Sequence, residues 1–189
     1  FQRTNSPEKA PNKPSFITIN FKNSNPFGIN GKKLSPSKLL EKLNTLAGKN
    51  GIGRVDLVEN RFIGIKSRGV YETPGGTLLI IAHRAMESVT LDKETMHKKD
   101  RVMPRYAELI YNGYWFSKER FKLQKIIDLK KNKVNGSVKI KLYRGNITIH
   151  SRNTKSSAYS IKKVSFEENK TFNKSNVERF INYHKKKLK

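Results

Sequence analysis

The sequence has no cysteine, few acidic residues and no long hydrophobic run. Without cysteine it can form neither disulfides nor thiolate metal sites, which predicts an intracellular, cytoplasmic protein. A transmembrane helix needs about 20 apolar residues. The longest apolar run is Leu78–Ala82, so no membrane association is expected. The four histidines are scattered and none has metal-ligand spacing, so no metal site is expected either. They are His83, His97, His150 and His184.

Acidic residues are outnumbered by basic ones, 15 against 40, which gives a formal net charge of +25. Such a charge would ordinarily indicate a nucleic acid or another anionic surface as partner. Here the charge is spread along the chain and is mostly lysine, and asparagine and isoleucine are also abundant, as a genome poor in G and C tends to encode. Composition therefore favours no specific nucleic-acid partner, although a basic surface would help to collect nucleotides. A basic RNA- or DNA-binding module and a purely structural assembly module remain the alternatives.

The length of 189 residues suits one medium domain with an appended arm. The chain begins with Phe1 and carries no signal-peptide pattern, which predicts a piece of a longer protein. Residues 1–15 are polar and proline-rich, so they are expected to form an extended lead-in. Residues 16–172 are predicted to form the main domain. Residues 173–189 are predicted to form a C-terminal helix, capped by Ser175, with a narrow apolar patch of Val177, Phe180 and Ile181 that is too small to anchor it to its own domain.

Hydrophobic periodicity and turn residues predict strands and helices without a regular βαβ alternation, so the expected fold class is α+β. Its predicted features are β-hairpins and a C-terminal helical arm. The predicted strands are 16–21, 138–142, 147–149 and 164–166, with an Asn30-Gly31 turn after the first. The predicted helices are 36–48, 74–88, 92–111 and 117–131, the third kinked or split by Pro104.

The stretch from Gly51 to Thr77 looks like the wall of a site. Alternating apolar residues predict a strand that ends near Glu59, then a reversal at Asn60-Arg61 and a second short strand over residues 62–65. A polar loop is predicted from Ser67 to Val70. On spacing alone, a surface ion pair of Glu59 with Arg54 or Arg61 is favoured over a binding role.

Two further features of this stretch are candidate site groups. Tyr71 reads as an aromatic residue at the edge of the core. Thr73, Gly75 and Gly76 flank Pro74 at a helix start, where free backbone N–H groups could bind an anion, although a simple helix cap is equally compatible with the pattern. No residue is singled out as catalytic.

Two longer stretches make the sequence recognisable. The run VDLVENRFIGIKSRGVYETPGGTLL closely resembles a segment of the argininosuccinate synthase family, and MPRYAELIYNGYWFSKER resembles that family's next characteristic block. The resemblance is specific from about Asn50 to Arg120, extends back to Ser6 and forward to Arg152, and then fades. It implies an ATP-dependent ligase of arginine biosynthesis that joins citrulline and aspartate to give argininosuccinate, AMP and pyrophosphate.

The resemblance also implies roles for individual residues. Glu59 and Tyr71 match the glutamate and tyrosine with which the family holds citrulline, so both are expected to line one pocket. The family's Ser-Gly-Gly-x-Asp-Thr-Ser loop for ATP, its aspartate contacts and two citrulline-binding serines would lie upstream of Phe1. The chain therefore resembles the C-terminal catalytic and multimerisation portion alone. We expect ATP with Mg to serve the full-length enzyme, no cofactor to bind this part alone, and the C-terminal helix to assemble a homotetramer.

Overall fold

The computed structural model describes residues 1–159 and residues 175, 177–179, 181 and 182. The chain divides into two compact units, Phe1–Ala158 and Tyr159–Lys189. In the second unit the described residues from 175 onward are helical, and Ser175, predicted to precede the helix as its cap, is itself one of these helical residues. The predicted strand at 164–166 and the predicted apolar contact of Phe180 lie outside the described residues.

The first unit contains helices and antiparallel strands, which confirms the α+β class. In chain order its elements are β1 (Ser15–Lys22), β2 (Asn25–Ile29), β3 (Lys32–Lys33), α1 (Pro36–Lys49), β4 (Arg54–Asn60), β5 (Lys66–Glu72), α2 (Pro74–Thr90), α3 (Lys93–Tyr111), α4 (Lys118–Ile127), β6 (Gly136–Tyr143) and β7 (Asn146–Asn153). Short 3-10 turns lie at Pro7–Lys9 and Lys131–Lys133. The lead-in before β1 is therefore not wholly extended.

Five strands form one antiparallel sheet in the order β3-β2-β1-β6-β7. Side chains alternate between the faces of a strand, so every second residue of β1 points to the same side. Ile17, Ile19 and Phe21 of β1 are buried in this way, as are the alternating apolar residues of β6. Helices α1 and α2 pack beside each other against the sheet, and their buried leucines, including Leu43 and Leu78, complete the core.

Two of the capping signals, Asp92 and Ser117, are confirmed, whereas Ser35 and Thr73 precede their helices without a side-chain capping hydrogen bond. Asp92 and Ser117 cap α3 and α4 by accepting hydrogen bonds from backbone N–H groups at 3.1 and 3.2 Å. Helix α3 continues through Pro104, so the predicted split does not occur. Pro104 removes only one backbone donor from α3. Packing of α3 along α4 compensates for this loss, so the helix continues. Helix α4 ends at Ile127 instead of Lys131, because the chain then turns through Lys130 with a φ of 55°.

Strands β4 and β5 form a separate two-stranded sheet, a hairpin that positions the candidate site. Here the predicted strand at 62–65 is wrong. Gly64, with a φ of 85°, closes a turn in which its N–H donates to the carbonyl of Arg61. The predicted loop from Ser67 to Val70 consequently lies within β5 and is extended strand. The hairpin is also more exposed than its apolar pattern suggests, since Val58 is 65% exposed.

Candidate functional site

The register of the β4–β5 hairpin places the two predicted citrulline residues on one face. Glu59 of β4 pairs with Ser67 of β5. Tyr71 lies four residues after Ser67 in β5 and pairs with Val55. The Tyr71 hydroxyl donates to Glu59 Oε1 at 2.6 Å. The expected proximity is therefore present, although the chain achieves it by direct strand pairing and not through the predicted loop.

Gly69 makes this diagonal contact possible. A Cβ built on Gly69 would lie 2.4 Å from the Tyr71 Cε2 atom and 2.7 Å from its hydroxyl oxygen. The aromatic ring therefore occupies the space in which any other residue would carry its side chain. Gly69 lies within β5 and permits the close approach of the ring.

Arg61 joins Glu59 and Tyr71 as the third side chain of this polar cluster. Its Nη2 atom lies 3.3 Å from Glu59 Oε1, and its Nε donates to Ser67 Oγ at 2.6 Å. The ion pair with Arg61 that spacing favoured is thus real. The alternative partner, Arg54, instead donates to the hydroxyl and carbonyl of Thr4. The Glu59–Arg61 ion pair and the Glu59–Tyr71 hydrogen bond therefore occur together on one face of the hairpin.

The charges of the cluster shift the titration of its members. The Glu59 carboxylate raises the pKa of Arg61, and Tyr111 at the end of α3 raises it further. The hydrogen bond to Glu59 likewise raises the pKa of the Tyr71 hydroxyl, because ionised tyrosine could not donate to a carboxylate. At neutral pH the face therefore presents a guanidinium and a neutral phenol beside the carboxylate. The Glu59 side chain is 13% exposed.

The hairpin tip packs against the chain just after α3. The rings of Phe62 and Tyr114 meet edge to face, with centroids 6.0 Å apart. Tyr111 is the last residue of α3 and raises the pKa of Arg61, and its side chain is half exposed. Sequence reasoning missed Tyr111 as a neighbour of the site, because only the fold brings the end of α3 to the hairpin.

The predicted anion seat at the start of α2 is only partly available. The Gly75 N–H already donates to Asn44 Oδ1 at 2.8 Å, so it is not free for a ligand. Gly75 is buried where α1 and α2 approach closely, and a Cβ there would lie 2.6 Å from the same oxygen. That packing explains the glycine. An anion-binding role for Thr73 and Gly76 stays a prediction.

Glu72, at the end of β5, is a strongly hydrogen-bonded carboxylate that the sequence did not single out. It accepts hydrogen bonds from the backbone N–H groups of Gln2, Arg3 and Thr4 and from the Thr4 hydroxyl. The Thr4 hydroxyl, followed by the backbone donors, lowers the pKa of Glu72 from 4.5 to about 2. Its role is to hold the N-terminal segment against the base of the hairpin.

A separate concavity of about 590 Å³ lies along α2, α3 and the first two strands. It is lined by Phe21, Pro26, Leu79, Ile80, His83, Arg84, Glu87, Asp100 and Met103. One lining residue, Glu87, accepts a hydrogen bond from the ammonium of Lys99, and both side chains are buried. Within the part of the chain that the structure describes, no group of three or more His, Cys, Asp or Glu residues could hold a metal ion.

Fold and site together define an α+β domain that carries a polar site on a projecting hairpin. A family model described as the Arginosuccinate synthase C-terminal domain matches residues 1–189. The chain therefore belongs to the family of argininosuccinate synthase C-terminal domains, as the resemblance implied.

Curated relatives support the same conclusion. The chain is similar to argininosuccinate synthase of Pelagibacter ubique, with 83% identity over all 189 residues, and to that of Rhodospirillum centenum, with 53% identity over 189 residues. These matches cover 48% and 47% of the two relatives. The Granulibacter bethesdensis synthase is 59% identical over 168 residues, which is 89% of this chain and 40% of the relative. The chain thus spans about half the length of the curated relatives that it matches.

Proposed function

We propose that this chain is the C-terminal part of an argininosuccinate synthase and that Glu59 and Tyr71 bind citrulline. The observation that supports this role is the 2.6 Å hydrogen bond from the Tyr71 hydroxyl to Glu59 Oε1 on one face of the hairpin. A carboxylate in this position suits the α-ammonium group of an amino acid through a charge-assisted hydrogen bond. The Glu59 side chain is only 13% exposed, so its contact with water is limited.

The reaction of the whole enzyme would then be the ATP-dependent joining of citrulline and aspartate. The ureido oxygen of citrulline attacks the α-phosphorus of ATP and releases pyrophosphate. The amino group of aspartate next attacks the resulting citrullyl-adenylate and displaces AMP. No protein nucleophile takes part, so the enzyme acts mainly by positioning and by stabilising charge. Within this sequence of steps, Glu59 and Tyr71 fix the amino-acid end of citrulline.

We expect ATP with Mg to bind in the part of the relatives that this chain does not cover. We expect the isolated chain to show no micromolar ATP binding in calorimetry, because the family's ATP loop is absent from its sequence. Tight Mg-dependent binding would instead support a nucleotide site at the helix start beside Thr73 and Gly76. The positive charge of +25 then serves at most as a general attractor for anionic substrates.

The remaining proposals concern assembly and compartment. We expect a homotetramer in which the helix that includes Ser175, Val177 and Ile181 docks on a neighbouring subunit. Removal of the chain from Ser175 onward should then lower the mass measured by light scattering, and an unchanged mass would contradict this role. None of the helices in the described part of the chain is long and apolar enough to cross a membrane. A cytoplasmic location is proposed from the family's biosynthetic role.

The direct test uses full-length enzyme, built by joining this domain to the N-terminal portion of the Pelagibacter ubique relative. Glu59→Gln keeps the shape of the side chain and removes its charge. Loss of a charge-assisted bond costs on the order of 1.5–3 kcal/mol, or about ten- to a hundredfold in citrulline affinity. Tyr71→Phe should have a smaller effect, because it removes only a neutral hydroxyl. ATP affinity should change little, and unaltered citrulline affinity in Glu59→Gln would overturn the proposal.

The comparisons give no support to the nucleic-acid-binding alternative. If nucleic acid binds, the binding should be non-specific and fall steeply with salt, since scattered lysines can only neutralise phosphates. Retention of one sequence over scrambled competitors at high salt would be the contrary result.

A further inference from the structure

We propose that Arg61 is a positioning residue of the citrulline site, which holds Glu59 so that its second carboxylate oxygen faces the substrate. This inference rests on the proposed function. It concerns how the carboxylate is prepared for an ammonium ligand.

The backbone of Arg61 is fixed by the hairpin turn. Its N–H donates to the carbonyl of Ile65 at 2.8 Å, and its carbonyl accepts from the N–H of Gly64 at 2.9 Å. The backbone position of Arg61, just after the end of β4, is therefore well defined. Its side chain needs only to fold back along the face that carries Glu59.

The guanidinium is then held at two further points. Its Nε donates to Ser67 Oγ at 2.6 Å, and Ser67 is the direct cross-strand partner of Glu59. Its Nη2 lies 3.3 Å from Glu59 Oε1. Arginine can make both contacts because its donors are arranged in a rigid fork, whereas lysine offers one point charge. Arg61 thus bridges the two strands beside the carboxylate.

Both partners of the Glu59 carboxylate contact the same oxygen. Oε1 accepts from the Tyr71 hydroxyl and faces Arg61, while no hydrogen bond to Oε2 is found among the described residues. A glutamate that is anchored through one oxygen presents the other in a fixed direction. Its rotamer freedom is lost on folding and does not have to be lost again when citrulline binds.

A competing effect must be weighed, because a cation beside Glu59 also repels the ammonium of the substrate. Arg61 is 46% exposed and makes one contact of 3.3 Å with the carboxylate, so solvent screens its charge strongly. The geometric contacts through Ser67 and Oε1 are not weakened in that way. We therefore expect positioning to exceed repulsion, so loss of Arg61 should weaken citrulline binding.

The hairpin provides a matched control on its opposite face. Arg68 pairs with Asp56 through two contacts of 2.9 and 2.6 Å, and the strand register places this pair on the face away from Glu59. Arg68→Gln removes a guanidinium ion pair from the same two strands without altering the site face. It therefore reports any general loss of hairpin stability.

The first experiment measures steady-state kinetics in the full-length enzyme. Arg61→Gln should raise KM for citrulline about tenfold while kcat and KM for ATP stay within about twofold, because only the binding site loses its order. Ser67→Ala should act in the same direction but less, and Arg61→Lys should restore part of the loss. Arg68→Gln should leave KM for citrulline unchanged. A citrulline KM that stays the same or falls in Arg61→Gln would overturn the inference, as would an equal rise in Arg68→Gln.

A double-mutant cycle separates positioning from a general structural role. In the Glu59→Gln background, Arg61→Gln should produce no further rise in KM, because Arg61 acts through the glutamate. Additive effects would show that it acts independently and would refute the inference. If Glu59→Gln alone leaves citrulline affinity unaltered, it is the proposed function that fails. If Glu59→Gln weakens binding and Arg61→Gln does not, only the inference fails.

Discussion

The Tyr71 hydroxyl reaches Glu59 by crossing the hairpin directly above Gly69, whose missing side chain leaves room for the ring. The two side chains are therefore coupled through a residue that contributes no functional group of its own. This arrangement explains why a tyrosine near the end of β5 can meet a glutamate near the end of β4. It also makes Gly69 a sensitive position.

Gly69→Ala should displace the Tyr71 ring without changing Glu59. The added Cβ would lie 2.4 Å from the ring, so the hydroxyl must move away from Glu59. Loss of one such hydrogen bond should weaken citrulline binding about two- to tenfold, similar to Tyr71→Phe. The measurement is KM for citrulline in the full-length enzyme.

Gly76→Ala supplies the control for this substitution. Gly76 lies near the start of α2, and the nearest atom to an added Cβ is 3.9 Å away. This variant keeps the backbone N–H of the candidate anion site, so it should leave citrulline KM unchanged, and it should stabilise the fold by about 0.5–1 kcal/mol because alanine favours helix. A Gly69→Ala enzyme with normal citrulline KM would show that the ring contact does not matter for binding.

The sequence predicted the class of fold and the proximity of Glu59 and Tyr71 better than it predicted the hairpin that joins them. The helix starts at Asp92 and Ser117 were predictable, because their capping contacts are local. The hairpin register was not, since Phe62 and Ile63 are apolar residues in an exposed turn and resemble a strand. The turn depends on the positive φ of Gly64, and the contribution of Tyr111 depends on tertiary packing.

Glu72 should make the attachment of the N-terminal segment sensitive to acid. Its pKa falls from 4.5 to about 2 in the folded protein, so the folded state favours the ionised carboxylate. The resulting stability is fully present above pH 4.5 and is lost as pH falls through about 2. Amide signals of Gln2 and Thr4 in NMR spectra should shift over this range. Glu72→Gln should abolish this titration, and a variant that still shows it would exclude Glu72 as the cause.

His83 should give the stability a second pH dependence, near neutrality. Burial lowers the pKa of His83 below 6.5, although the neighbouring Glu87 opposes the shift and Lys99 and Arg84 reinforce it. The folded state therefore binds fewer protons than the unfolded state, so stability falls as pH drops below 6.5. Urea unfolding between pH 7.5 and 5 should show a smaller decline for His83→Gln. Identical declines would assign the pH dependence to other groups.

Removing only one partner of the buried Lys99–Glu87 pair should lower the free energy of unfolding more than removing both partners. Lys99→Met leaves the Glu87 carboxylate in a site where its side chain is 5% exposed, with Arg84 at 3.6 Å as a remaining cation. Breaking a buried pair costs about 3–5 kcal/mol, and we expect roughly 2–4 here because Arg84 compensates in part.

The double variant Lys99→Met/Glu87→Met tests whether the unpaired charge causes this loss. It should recover most of the stability lost in Lys99→Met, since no buried carboxylate remains without its partner. Arg105→Gln removes an exposed arginine that pairs with Glu119 at 2.8 Å, and it should cost much less than Lys99→Met because solvent screens an exposed pair. The measurement is the free energy of unfolding in urea for the four proteins, wild type included. A double variant less stable than Lys99→Met would mean that packing by the two side chains, and not charge compensation, stabilises this part of the domain.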